Sequence, residues 1–121
     1  MGSPKENDLF VATEVSEKIK IALGDQLQKV VLFGSRARGD SESSSDFDFL
    51  IIANFEDQSW PKRSLKIRKA VGYFGESVDY LPVTEEEFKN KILIRKTIEE
   101  EGVVLYERRH PSLGIESQDR R

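Results

Sequence analysis

The sequence predicts an α/β (α+β) domain, a small mixed β-sheet flanked by helices. Three observations carry that prediction. Apolar residues recur at helical spacing near the N-terminus, in Val11, Val15, Ile19 and Ala22. Short apolar runs such as "KVVLF" and "DFLIIA" then end at glycine, asparagine or proline, as buried strands do. Helix-forming and strand-forming segments alternate along the chain, which places helices over a sheet. At 121 residues the chain supports a single core.

The first helix is expected from about Asp8 to Leu23, with Asp8 as cap and Gly24 as stop. Residues 1–7 are polar and expected to be disordered. "QKVVLF" predicts a buried strand over Lys29–Phe33, closed by Gly34. "SRARGD" has room for about one helical turn, and "DSESSS" reads as a loop. "DFDFLIIA" is the second strand. The next helix is expected over Pro61–Phe74, with Ile67, Val71 and Phe74 inward and Gly75 as its end. "SVDYLPV" is a short strand stopped by Pro82. Thr84 and Glu87 form a capping box for a helix carrying Phe88 and Ile92. A further helical segment with Ile94 and Ile98 ends at Gly102, and "VVLYE" closes as a strand or an extended edge. The domain is thus expected over residues 8–107, with a flexible tail over 108–121.

Composition narrows the chemistry. There is no cysteine, so disulfides and thiolate sites are excluded. The lone histidine, His110, lies in the tail, which argues against a Ser-His-Asp triad or a histidine zinc site. Any catalysis must run on carboxylates, hydroxyls and cations. The net charge of −3 does not suit bulk binding of nucleic acid. Neither a bilayer-length apolar run nor a signal peptide is present, so a cytoplasmic protein without membrane contact is expected. Charge is uneven: "WPKRSLKIRKAVGYF" has five Lys or Arg and no acid, while "TEEEF" and "TIEEEG" are acidic. The basic segment reads first as a solvated helix face.

Asp46 and Asp48 stand out, because carboxylates opening an apolar strand cost free energy unless compensated. At i and i+2 they project to one face, and Phe47 and Phe49 to the other. Their mutual repulsion is relieved by a hard divalent cation: Mg²⁺, or Mn²⁺ in its place. Two such ions about 3.5–4 Å apart can hold the attacking and leaving oxygens of a phosphoryl displacement. Asp79 in "SVDYLPV" is the third carboxylate and candidate base, and Glu76 is its competitor. In "FGSRARG", Gly34 admits close approach of a phosphate, and Ser35 begins a helical turn whose free N–H groups favour an anion, its hydroxyl adding one more donor. Arg36 and Arg38 can neutralise further phosphate charge.

"GSRARGDSESSSDFDFLI" followed by "VDYL" resembles the signature of the minimal nucleotidyltransferases, of the DNA polymerase β-like superfamily. The resemblance reaches the closing "IEEEGVVLYE". It implies the polymerase β-like fold, with Gly34 and Ser35 on the triphosphate, Asp46 and Asp48 on metal, and Asp79 as third carboxylate. It also implies transfer of a nucleoside monophosphate, usually AMP from ATP, to an acceptor hydroxyl. Small chains of this type resemble the antitoxin half of HEPN/MNT pairs, in which a HEPN ribonuclease toxin is the partner. Three functions remain open at this point: a protein adenylyltransferase, an antitoxin acting by contact alone, and an enzyme for a small molecule or RNA end. Homo- or hetero-oligomers fit each of them.

Overall fold

A computed structural model describes residues 2–56 and 59–108. Among these described residues, four strands form one sheet in the order β3-β2-β1-β4. They are β1 (Leu27–Phe33), β2 (Phe47–Ala53), β3 (Val78–Val83) and β4 (Val103–Glu107). β1 runs antiparallel to β2 and to β4, and β2 runs parallel to β3. The parallel pair requires a crossover, which α3 (Trp60–Val71) supplies.

Period-two alternation sorts each strand onto two faces. On one face Val30, Leu32, Phe47, Phe49 and Ile51 pack with Ala12, Val15 and Ile19 of α1 (Glu6–Leu23) and with Ile67 and Val71 of α3. On the other, Val31, Leu50, Ile52 and Val83 meet Ile98 of α5 (Ile92–Glu101) and Phe88 of α4 (Glu85–Lys89). The sheet is thus covered on both sides, and its central strand β2 is buried along most of its length. No helix among the described residues is long and apolar enough to cross a membrane.

Several boundaries differ from expectation for local reasons. α1 begins at Glu6, and Asp8 does not cap it; Asp8 is buried and bonded to Arg36 and Ser41. Ahead of the helix, Lys5 Nζ donates to Ser41 O at 2.6 Å. α3 ends at Gly72 rather than Gly75: Gly72 takes φ +75° and its N–H donates to Arg68 O. Phe74 lies past the helix but still packs edge-on against Phe47. The capping box is present, with Glu87 N donating to Thr84 Oγ1 and Thr84 N to Glu87 Oε1. That helix stops at Lys89, so Ile92 begins a separate helix and is 73% exposed. "VVLYE" is a paired strand on the sheet edge. Arg108 continues it, donating to Gln28 O and Leu27 O. The rest of the expected tail, His110 included, lies outside the described residues.

Candidate active site

The predicted site residues gather where β1 ends and β2 and β3 begin. Phe33, Asp48 and Asp79 are register partners across three strands, so the two carboxylates sit side by side on one sheet face. Asp46 lies just ahead of β2 and is exposed, whereas Asp48 is half-buried and Asp79 exposed. Phe47 and Phe49 point the other way and stack in the core at 6.2 Å, as the alternation requires.

Asp48 registers this crowding. Burial pushes its carboxyl from the ordinary 3.8 up to about 6, and the charges of Asp79 and Asp46 add to the shift. Arg38 acts in the opposite direction. A carboxylate disfavoured by like charges is a ready ligand for a cation, which removes the repulsion. Asp48 with its register partner Asp79, and Asp46 just ahead of the strand, are thus the candidate ligands of a hard divalent ion. Among the described residues, no three such groups stand close enough to form a finished metal cage.

Gly34 follows β1 at φ +80° and ψ −161°, a conformation that only glycine adopts comfortably. A side chain there would also strike the Asp48 carboxylate. The glycine thus lets the start of α2 (Ser35–Arg38) close against the Asp48 carboxylate. Gly34 O accepts from the N–H of Ala37 and Arg38, which tightens that turn.

The two arginines separate. Arg38 is exposed and turned toward the site side, donating to Asp40 and to Glu101. Arg36, expected on phosphate, is buried and committed to the protein. Its guanidinium donates to Asp8 Oδ1 at 2.8 Å, Ser45 O at 2.8 Å and Glu76 Oε1 at 3.3 Å, and lies 4.3 Å from the Phe47 ring. Arg36 thereby moulds the loop between α2 and β2 that delivers Asp46. The same contact occupies Glu76, the rival of Asp79. The basic helix divides similarly: Arg63 is buried against Glu87 and Pro82 O, while Lys62, Lys66 and Lys69 are exposed.

Two residues escaped sequence reasoning. Asp8 looked like a helix cap, and nothing local signals a partner 28 positions away. Glu101 looked like part of an acidic patch, yet its carboxylate accepts from Gly34 N at 2.8 Å. A signal for it existed, since acids in the last turn of a helix oppose the helix dipole.

Comparison with known proteins identifies the family and the fold. The profile of the family described as "Polymerase beta, Nucleotidyltransferase" matches residues 17–111. A Methanocaldococcus jannaschii protein described as a "putative protein adenylyltransferase" is 30% identical over 102 residues, 83% of this chain and 99% of its own. A second protein of that description from the same organism is 35% identical over 71 residues, 59% of this chain and 70% of its own. Among solved structures, a Sulfolobus solfataricus protein described as a "putative nucleotidyltransferase" superposes with a TM-score of 0.60 at 23% identity, over 89% of this chain and 93% of that one. A toxin–antitoxin complex with AMP-PNP gives 0.62 at 17% identity, over 88% and 93%. A complex described as a tri-AMPylated Shewanella oneidensis HEPN toxin with an MNT antitoxin gives 0.58 at 15%, over 93% of each chain. These structural likenesses speak for the fold.

Proposed function

The chain belongs to the polymerase β nucleotidyltransferase family, and from that premise we propose that it moves AMP from ATP to a hydroxyl of a partner protein. The observation that carries the reading is the Asp48–Asp79 register beside Gly34, which sets two carboxylates against the turn that opens α2. The relatives described as protein adenylyltransferases support a protein acceptor. The AMPylated complex supports a HEPN-type toxin as that acceptor.

In this reading the triphosphate lies along α2. The Ser35 hydroxyl and the Arg38 guanidinium donate to its oxygens, and Gly34 lets that turn lie against the Asp48 carboxylate. Divalent cations, Mg²⁺ first, would sit on Asp46, Asp48 and Asp79 and neutralise charge on the phosphates. Asp79, exposed at the sheet edge, takes the proton from the acceptor hydroxyl. The acceptor oxygen then bonds to the α-phosphorus, the bridge to the β-phosphate breaks, and pyrophosphate leaves.

The test is transfer from α-labelled ATP in the presence of Mg²⁺ to any protein that co-purifies, beside the Asp46→Asn/Asp48→Asn variant. A labelled protein band that disappears with the variant is the expected result. ATP binding without a protein label points to a small-molecule or RNA acceptor. Absence of metal-dependent ATP binding removes the catalytic reading, and neutralisation by contact alone is what stays.

A further inference from the structure

The donors nearest the acids already hold an anion. Glu101, the last residue of α5, receives the Gly34 N–H on Oε2 at 2.8 Å. Arg38 Nη1 donates to both of its oxygens, at 3.1 and 3.2 Å. The Glu101 side chain is 15% exposed, against 42% for Arg38. Helix formation alone does not favour a carboxylate here. The last turn of α5 holds Glu99, Glu100 and Glu101 and no basic residue, although the negative end of the helix dipole repels acids. Its neighbours behave as solvated groups: Glu99 makes an exposed pair with Arg95 and Glu100 faces water. Glu101 alone turns inward, onto the backbone and the arginine that flank the carboxylate cluster.

Resting on the nucleotidyltransferase reading, we infer that Glu101 is a positioning residue that stands in for phosphate. It holds Gly34 and Arg38 in place while the cradle is empty, and withdraws when the triphosphate takes over those donors. The exchange is one of hydrogen bonds, with no covalent step. Arg38 keeps a second anchor through it, because its Nε donates to Asp40 Oδ2 at 3.2 Å. Gly102 follows immediately and packs against Ile98 and Val31, so the yielding element is the Glu101 side chain rather than the α5–β4 junction. Glu101 therefore competes with the nucleotide, and nucleotide affinity is set partly from inside the protein.

Calorimetric titration with AMP-PNP and Mg²⁺ tests this on the wild type, Glu101→Gln and Glu100→Gln. Glutamine still accepts from Gly34 N, so thermal unfolding should report a folded variant. Removing the Glu101 charge is expected to tighten binding roughly fivefold, the size of one partly screened charge contact. Glu100→Gln removes the same charge from a solvated position and should leave affinity within about twofold. A structure of the unaltered protein with AMP-PNP should find Glu101 released from Gly34 N. Equal or weaker binding by Glu101→Gln overturns the inference, as does equal tightening by Glu100→Gln, or an intact Gly34–Glu101 bond in the complex. If the wild type binds and Glu101→Gln does not tighten, the role of Glu101 alone fails. If none of the three proteins binds nucleotide, the nucleotidyltransferase reading fails and takes this inference with it.

Discussion

Replacing Asp48 by asparagine should make the protein more stable while disabling its site. Burial, Asp79 and Asp46 raise the Asp48 carboxyl from 3.8 to about 6, so the ionised form is disfavoured in the folded state. A group whose folded value is raised stabilises the fold when protonated. That contribution is present below the unfolded value of about 4 and is lost as pH rises through about 6. The interval corresponds to a ceiling of roughly 3 kcal/mol. Asp48 is only half-buried, and water with counterions reduces this to about 1–2 kcal/mol. Asparagine keeps the shape without the charge. Asp48→Asn should therefore melt roughly 3–10 °C higher at pH 7.5 without divalent ions, given a few degrees per kcal/mol for a domain of this size. The gain should shrink largely to nothing by pH 4. Adding Mg²⁺ with ATP should raise the melting temperature of the wild type and leave that of the variant unmoved. Thermal unfolding at the two pH values, with and without Mg²⁺ and ATP, reads all of this. No gain at pH 7.5, or an equal gain at pH 4, would refute the account of crowded carboxylates.

Four further outcomes are expected. Gly34→Ala should cost about 1–3 kcal/mol in urea unfolding, from its positive φ and the displaced Asp48 carboxylate, and should lower AMP transfer more than about tenfold. Arg36→Ala should lose about 3–5 kcal/mol, because it strands Asp8, whose side chain is 7% exposed. Asp79→Asn, at an exposed position, should shift stability within about 0.5 kcal/mol yet cut transfer on the order of 10²-fold or more. Glu87→Gln should cost about 1 kcal/mol at pH 7, after discounting for a side chain 39% exposed. Its carboxyl is held down to about 2 by the Arg63 hydrogen bond and the Thr84 N–H. The contribution is thus complete above about 4.5 and fades as pH falls toward 2, a window that urea titrations at successive pH values can follow.

The sequence by itself determined what depends on near neighbours. Helical spacing, glycine stops and the Thr84–Glu87 box are read within a few residues, and the helices and strands they announce are present. The alternation in "FDF" likewise separates Asp48 from two core phenylalanines, because strand geometry turns successive side chains to opposite faces. The Gly34-Ser35 pair followed by Asp46-x-Asp48 was legible as a motif from residue types and spacing, and the structure sets Gly34, at φ +80°, against the Asp48 carboxylate. Tertiary structure decided what depends on pairing across the chain. The β2–β3 register put Asp79 against Asp48, and Arg36 pairs with Glu76. Two arginines separated by one residue in "RAR" received opposite environments, one buried on Asp8 and one exposed beside Glu101. No local pattern distinguishes them. The difference arises because α1 and α5 approach the same short turn from distant parts of the chain, each bringing a carboxylate that only the folded structure can place.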